Sequence, residues 1–259
     1  MERKYSTKEY EAAIELLRQR IENEQSMTAD VERVLEEYAE YIVYALSRGA
    51  SDEDIMLLIE DLVARLMDDC RMLAIDEHDD NDGILALIFG GDDVSVEERV
   101  RNRAMTFLDE VTAFFSAGEI LNMDDESIIA AVRDNLDSPW DNEFIGEVRG
   151  MIERGEVDGD IEDYEERHYG QGVPVSSKVG IEFITVSAIA ETWNEWAWRS
   201  ASAGGAKGYF VERGSSYPCE ECDSHTGIFY PITDHEHLPQ YHRSCRCVVV
   251  YVYDDDIII

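Results

Sequence analysis

The fold of the C-terminal part of this chain is decided by two stretches, Tyr217-Pro-Cys-Glu-Glu-Cys222 and Tyr241-His-Arg-Ser-Cys-Arg-Cys247. Together they hold all but one of the five cysteines in the sequence. A C-x-x-C turn lets two thiolates face one point, and an H-x-x-C-x-C pattern about twenty residues later can complete a tetrahedron of ligands. Thiolate and imidazole ligands at this spacing suit Zn²⁺. The sequence therefore predicts a structural zinc site in the last third of the chain.

More side chains are available for this site than a structural zinc ion uses, because such an ion takes four ligands. The candidates are Cys219, Cys222, His242, Cys245 and Cys247. In one arrangement the four thiolates bind the ion and His242 supports them from outside. In the other, His242 replaces one of the last two cysteines. The spacing is compatible with both arrangements.

Two disulfides are the alternative to a metal ion, since the same cysteine spacing permits them. The chain begins Met-Glu-Arg-Lys-Tyr and continues directly into a charged helical pattern, without a signal peptide. We therefore expect a reducing compartment, which favours metal binding over disulfides. The remaining cysteine, Cys70, lies alone in a helical pattern and is interpreted as a small buried apolar residue.

Short strands are predicted around the cysteine clusters. The turn dipeptide Thr226-Gly227 precedes an aromatic and β-branched run over residues 228–232, and a second such run covers residues 248–253. These segments predict a knuckle, a hairpin and a strand that the metal ion holds together. A segment this short buries little apolar surface, so we expect metal binding to supply much of its folding free energy.

The first two thirds of the chain read as helices separated by caps. Capping boxes begin at Ser6 and Ser95, and apolar residues recur at helical spacing up to Gly49 and again up to Gly118. Two helices are expected before Gly49, the first ending near Asn23. The predicted fold class is α+β and predominantly α-helical. The predicted domains are a helical domain (1–155), a linker or hinge (156–180) and a small zinc-stabilised α+β domain (181–259).

The charge of the chain limits its partners. Acidic side chains outnumber basic ones by 58 to 22, giving a formal net charge of −36. Such a surface repels nucleic-acid phosphates and anionic membranes, and the sequence has no cluster of Lys and Arg to offset this. No apolar run approaches the roughly 18 residues that span a bilayer. We therefore expect no sequence-specific nucleic-acid binding and no membrane insertion.

Residues from about Thr185 to Tyr253 resemble the C-terminal domain of the phage Mu F-like minor head proteins, a family that includes head morphogenesis proteins of many tailed phages. The resemblance covers about the last third of the chain. The pieces that carry it are Ala190-Glu191-Thr192, Gly204-Gly205, Gly208-Tyr209-Phe210-Val211, Cys219 with Cys222, Gly227-Ile228-Phe229, and His242 with Cys245-Arg246-Cys247.

The resemblance implies a structural component of a phage head. A protein of this family associates with the portal protein and the inner capsid during head assembly, DNA packaging or ejection. It is found in the virion, in the head interior or at the portal vertex, and in the host cytoplasm during assembly. The implied partners are the phage portal and capsid proteins, with a homo-oligomer as a further option. The acidic surface would dock on basic portal or capsid regions.

Two other functions remain open at this stage, a metal-dependent nuclease or toxin-like enzyme and a zinc-stabilised interaction module. Asp234-His235-Glu236-His237 is similar to the Asp-His pair of HNH-type nucleases, which also carry C-x-x-C zinc knuckles. Against an enzyme stand the acidic surface and the strand pattern after Cys247, where such a site needs a helix. We therefore assign no catalytic residue and no cofactor besides structural Zn²⁺. The other option is an interaction module that uses zinc only to stabilise its fold.

The tryptophans, one acidic stretch and two single histidines have structural rather than functional interpretations. Trp193 and Trp196 share a helix face, and core packing against the zinc-bearing sheet is favoured over a partner-binding surface for the tryptophans of this helix. The acidic stretch 76–82 lacks the Gly and Glu of an EF-hand calcium loop and is interpreted as solvated. His168 and His225 lie in polar surroundings and are interpreted as surface residues.

Overall fold

The computed structural model of the protein describes residues 5–74, 95–156, 175–242 and 245–253. These residues are predominantly helical, with one small three-stranded antiparallel sheet near the C-terminus. The predicted α+β, mainly α-helical fold class is thereby confirmed. The acidic stretch 76–82 and His168 lie outside the described residues, as does most of the predicted linker 156–180. None of the described helices combines the length and the hydropathy needed to cross a membrane.

The described elements follow the chain in a simple order, with helices first and the sheet last. The helices are α1 (Thr7–Ser47), α2 (Asp52–Ala74), α3 (Val96–Ile120), α4 (Asp125–Asp134), α5 (Glu143–Glu153), α6 (Ser177–Ala203) and α7 (Glu220–His225). The strands are β1 (Gly208–Glu212), β2 (Phe229–Pro231) and β3 (Val248–Val252).

The helix ends follow the capping signals. Ser6 N–H donates to Glu9 Oε2 at 2.6 Å and Glu9 N–H donates to Ser6 Oγ at 3.2 Å, which confirms the first capping box. The box at Ser95 is confirmed in part, because Glu98 N–H donates to Ser95 Oγ at 3.1 Å. The prediction of two helices before Gly49 was wrong, since α1 is continuous. No Gly or Pro interrupts residues 24–30, and the buried Met27 continues the apolar stripe.

The chain divides into two compact units that each combine separate parts of the sequence. Among the described residues, 5–27, 70–74, 185–242 and 245–253 form the first, which we call the sheet unit, and 28–69, 95–156 and 175–184 form the second, which we call the helical unit. The predicted division into domains at residues 155 and 181 remains a prediction.

Inside the helical unit, a buried carboxyl group joins α3 to the start of α6. Glu110 is only 3% exposed. It accepts hydrogen bonds from Ser177 N–H, at 2.9 Å, and from the Ser177 hydroxyl. Burial raises the pKa of Glu110 to about 7, although the bonds from Ser177 and the charge of Arg103 oppose that shift. The carboxyl group thus caps the first turn of α6 from a neighbouring helix.

Because Glu110 is buried, we expect the free energy of unfolding of the chain to depend on pH. The pKa of Glu110 is higher in the folded chain than in the unfolded chain, so the folded state binds this proton more tightly. The resulting stabilisation is complete below about pH 4.5 and is lost as the pH rises through about 7, a change on the order of 3 kcal/mol. Urea unfolding of the wild type and Glu110→Gln between pH 4 and 8 measures it. Subtracting the two curves removes the contribution of the other carboxylates.

We expect the wild type to lose stability relative to Glu110→Gln as the pH rises. A difference between the two proteins that stays constant with pH would contradict the assignment of this titration to Glu110.

In the sheet unit, β1 is the central strand of the order β2-β1-β3. Phe210 of β1 pairs with Phe229 of β2 and with Val250 of β3. One face of the sheet packs on α6, where Trp198 Nε1–H donates to the Ile232 carbonyl at 3.0 Å. On β3, Val248 and Val250 pack on α1 around Ala13. Helices α1 and α6 thereby flank the strand that follows the last cysteine.

Candidate metal centre

The first cysteine pair lies at the start of the short helix α7. Cys219 caps this helix, because the Cys222 N–H donates to Cys219 Sγ at 3.5 Å. After α7, the Gly227 N–H donates to the Val211 carbonyl at 2.8 Å, and Gly227 adopts φ +74°. These contacts tie the C-x-x-C turn to strand β1.

The second cysteine pair lies just before β3. Cys245 N–H donates to the His242 carbonyl at 3.1 Å, which brings the histidine back toward the pair. Cys245 and Cys247 are 1% and 4% exposed. The backbone at Gly214, in the link between β1 and α7, runs so close to Arg246 that a Cβ on Gly214 would lie 1.5 Å from the Arg246 carbonyl oxygen. The two cysteine-bearing segments therefore meet backbone to backbone.

All five predicted ligands come together around Cys222. Its Sγ lies 2.9 Å from His242 Nε2 and 3.9 Å from Cys245 Sγ. The ligand atoms lie within 4.8 Å of one another in two groups, Cys219 with Cys222 and His242, and Cys222 with Cys245 and Cys247. Two sulfurs that bind one tetrahedral zinc ion at about 2.3 Å lie about 3.8 Å apart. The cluster can therefore hold a metal ion.

The burial of the ligands separates them into two kinds. Cys222, Cys245 and Cys247 are buried, whereas Cys219 and His242 are partly exposed. All five cysteines of the chain are free thiols. A sulfur separation of 3.9 Å between Cys222 and Cys245 is far longer than a disulfide bond of about 2.05 Å. The buried thiols are thus placed for shared ligation of one ion.

Neighbouring groups make the thiols unequal. A hydrogen bond from Cys247 lowers the pKa of Cys245 to about 5, with further help from the backbone N–H of Cys247. Burial raises the pKa of Cys222 to about 12. The pKa of Cys247 is also raised, first by its hydrogen bond to Cys245. Cys245 is therefore the thiolate that its surroundings stabilise, and a bound cation would displace the protons from the others.

A buried ion-pair network adjoins this cluster and includes residues that the sequence did not single out. Arg20 and Glu24 of α1 are each 3% exposed and form an ion pair of 3.0 Å. Arg20 Nη2–H donates to the Cys245 carbonyl at 3.0 Å, and Glu24 also pairs with Arg246. In the sequence, Arg20 and Glu24 look like an ordinary i,i+4 pair on a solvated helix face, so no local signal identified them.

The histidines of the nuclease hypothesis bind carboxylates. His235 Nε2 lies 2.5 Å from Glu195 Oε2, and His237 Nδ1 lies 2.8 Å from Asp234 Oδ1. Among the residues that the structure describes, neither His235 nor His237 belongs to a group of three or more clustered metal-ligating side chains. The structure thus separates these two histidines from the cysteine cluster.

His225, interpreted from the sequence as a surface residue, is half-buried and makes specific contacts. Its ring stacks on Tyr241, with centroids 4.0 Å apart, and its Nδ1 lies 2.8 Å from the Tyr230 hydroxyl. His225 occupies the last turn of α7, and this turn faces the aromatic side chains of the neighbouring segments. A polar local sequence gave no indication of these contacts.

The tryptophans of α6 follow the predicted geometry, and one of them packs on the metal-bearing segment. Trp193 and Trp196 contact each other edge to face, 5.8 Å between centroids, as expected for residues on one helix face. Trp193 is buried and donates from Nε1 to the Leu73 carbonyl at 3.3 Å. It is Trp198 that packs on the cysteine-containing core.

Comparisons of the chain with protein-family models, with curated proteins and with solved structures find no match. The fold and the site define the chain as a mainly helical α+β protein with a Cys/His cluster that can hold a metal ion.

Proposed function

We propose that the cysteine cluster holds one structural Zn²⁺ ion and that the chain is a minor head protein of a tailed phage. The observation that carries the metal assignment is the clustering of five candidate ligand side chains, four of them around Cys222. Four are thiols, which are soft ligands that select zinc over magnesium or calcium. A site closed by four protein ligands leaves no position for a substrate and is typical of a structural role.

The resemblance to the Mu F-like family supports the head-protein part of the proposal. The matching segments occur as helix α6, a turn at Gly204-Gly205, strand β1, the C-x-x-C helix α7, strand β2, the second cysteine pair and strand β3. The segments that carry the resemblance thus form the helix, the turns and the strands around the cysteine cluster. The functional step rests on this resemblance, because a fold by itself does not specify a function.

The net charge of −36 is compatible with the proposed location. An acidic protein near packaged DNA is repelled by the phosphates and is not captured by the genome. It can associate with basic regions of portal or capsid proteins, and complementary charge accelerates such encounters. We propose the portal protein and the inner capsid as partners, with the head interior or portal vertex as the location.

Three measurements test the proposal. Metal analysis of protein purified without chelator is expected to find about one zinc ion per chain, and a thiol count on the denatured chain is expected to find all five cysteines reduced. Purified heads of a phage that encodes this chain are expected to contain it, bound to the portal protein. Absence of zinc would contradict the metal assignment, and absence of the chain from heads would contradict the head-protein assignment.

The two partly exposed ligands give a prediction about the ligand set. Cys219 and His242 both lie within 4.8 Å of Cys222, so each can serve when the other is removed. We expect Cys219→Ser and His242→Ala each to weaken zinc binding less than Cys222→Ser does, and the double variant to lose it. Competition with a chromophoric zinc chelator measures the affinities. If one single variant lost zinc completely, the idea of interchangeable ligands would be wrong.

A metal-dependent nuclease is the second candidate, favoured by one observation. Asp234 holds His237 through Nδ1, and this orientation leaves Nε2 available as a base. Cleavage of plasmid DNA with Mg²⁺, Mn²⁺ or Zn²⁺ tests this function, with His237→Ala as the control. We expect no cleavage by the wild type. Cleavage that disappears in His237→Ala would favour the enzyme over the structural protein.

A further inference from the structure

Helix α1 contributes a residue to the metal centre from the opposite end of the sequence. We propose that Arg20 is a positioning residue of this centre, one that holds the Cys245–Cys247 turn in the conformation that presents its thiols to the metal ion. The inference rests on the proposed metal binding. It adds a contribution from α1 that the sequence pattern of the cysteine clusters does not contain.

The contacts of Arg20 link α1 to α6 and to the second cysteine pair. Its Nη2–H donates to the Cys245 carbonyl at 3.0 Å, between residues 225 positions apart in the chain. Its Nη1–H donates to Asn194 Oδ1 of α6 at 3.2 Å. Its Nε lies 3.0 Å from Glu24 Oε1, and the other oxygen of Glu24 pairs with Arg246. One guanidinium thus connects α1 and α6 to the Cys245 carbonyl and, through Glu24, to the side chain of Arg246.

The burial of this network is unusual for a helix surface. Arg20 and Glu24 have side chains that are 4% and 3% exposed. Arg18, two residues earlier on the same helix, is 70% exposed and pairs loosely with Glu15 at 3.6 Å. Burying a guanidinium costs several kcal/mol unless it is fully paired. The low exposure of Arg20 therefore needs a compensating interaction.

A metal-loaded cysteine cluster would provide that compensating interaction through its negative charge. Arg20 and Arg246 carry two positive charges and Glu24 carries one negative charge, which leaves one positive charge beside the cysteines. Zinc with three thiolates and one imidazole carries a net charge of −1, and zinc with four thiolates carries −2. The metal-loaded cluster therefore offsets the excess positive charge in a region of low dielectric constant.

The hydrogen bond to Cys245 has a geometric role as well. Removing a group that orients a metal ligand lowers the metal affinity about 10- to 100-fold. Arg20 fixes the carbonyl of a ligand residue, and through Glu24 it fixes Arg246, which lies between the two cysteines. Loss of Arg20 would let this turn relax, so part of the metal-binding free energy would be spent on ordering it again.

The experiment measures metal affinity in four variants of α1. Arg20→Gln keeps a donor for the Cys245 carbonyl but removes the charge, and Arg20→Lys keeps the charge but cannot make all of the contacts. Arg18→Met is the control for loss of an exposed arginine. Leu17→Ala is the control for weaker packing of α1 on β3, where Leu17 contacts the core of Val248 and Val250. Zn²⁺ competition and Co²⁺ absorption spectra are recorded on each folded full-length protein.

We expect both Arg20 variants to bind Zn²⁺ and Co²⁺ about 10- to 100-fold more weakly than the wild type. At saturation their Co²⁺ thiolate bands should match those of the wild type, because no ligand is removed. The control variants should retain the wild-type affinity. If one Arg20 variant fails to fold, the other one tests the inference. If both fail, the rate of metal release is compared between the wild type and Glu24→Gln, and we expect faster release from Glu24→Gln.

Two results would overturn the inference. The first is wild-type affinity in the Arg20 variants, or unchanged metal release in Glu24→Gln. The second is an equal loss of affinity in Leu17→Ala, which would assign the effect to the packing of α1 in general. Failure of the proposed metal function is distinguishable from either result, because the wild type itself would then bind neither Zn²⁺ nor Co²⁺.

Discussion

Cys222→Ser is expected to abolish metal binding and to unfold the segment that contains the two cysteine pairs. Cys222 is the one ligand that belongs to both groups of clustered side chains. Its sulfur lies 2.9 Å from His242 Nε2 and 3.9 Å from Cys245 Sγ, so no other cysteine can take its place without moving both partners. A serine hydroxyl is a poor ligand for zinc at neutral pH, because the ion prefers thiolate or imidazole.

The expected effect is large because metal binding and folding are linked. Apparent zinc-binding free energies of structural sites are about 10–16 kcal/mol, comparable with the total stability of a domain, about 5–15 kcal/mol. Strands β1 and β3 have five residues each and β2 has three. A sheet of such short strands depends on packing against other elements, here α1, α6 and the cysteine-containing segments. Loss of the ion should therefore release the cysteine-containing segments from the sheet.

Cys70→Ser provides a matched control for this substitution. Cys70 is also fully buried, and its Sγ–H donates to the Thr185 carbonyl at 3.6 Å, an interaction that a serine hydroxyl can replace. We expect Cys70→Ser to keep about one zinc ion per chain and to lose little stability. Metal content and near-UV circular dichroism distinguish the variants. Full zinc content in Cys222→Ser would contradict the central position of Cys222 in the site.

Much of the candidate site follows from the sequence because its chemistry is local. Cys219 and Cys222 are separated by one helical turn, and the second pair is followed by a run of β-branched residues that forms β3. The spacing of thiols around a turn and the pattern of a strand are each determined within a few residues. The same holds for the capping boxes at Ser6 and Ser95, which mark the starts of α1 and α3.

The features that the sequence did not indicate depend on contacts between distant parts of the chain. Arg20 and Glu24 have the spacing of a common surface pair, and the approach of Asn194, Cys245 and Arg246 from distant parts of the chain buries them. The continuity of α1 was missed because the polar residues 24–30 resemble a loop in composition. Burial of Met27 within the core, together with the absence of Gly and Pro, overrides that local preference.

Gly214→Ala is expected to have the second large effect, for a steric reason. A Cβ on Gly214 would lie 1.5 Å from the Arg246 carbonyl oxygen and 2.7 Å from its carbonyl carbon. Both atoms belong to the backbone, so no side chain can rotate away. The link between β1 and α7 would have to separate from the Cys245–Cys247 turn. Because Arg246 lies between two ligands, this separation would move both of them.

We expect Gly214→Ala to lose several kcal/mol of stability and to bind zinc at least about 10-fold more weakly, since overpacking and disturbed ligand support each act on the same turn. Gly146→Ala in α5 is the matched control, because a Cβ there meets nothing within 4 Å and alanine favours the helix. Thermal unfolding and zinc competition compare the two variants. A wild-type unfolding midpoint in Gly214→Ala would show that the two segments do not meet at this backbone contact. We expect a large loss of stability and zinc affinity in Gly214→Ala and a neutral or stabilising effect of Gly146→Ala. This result would show that the small size of Gly214 keeps the two cysteine pairs within reach of a single ion.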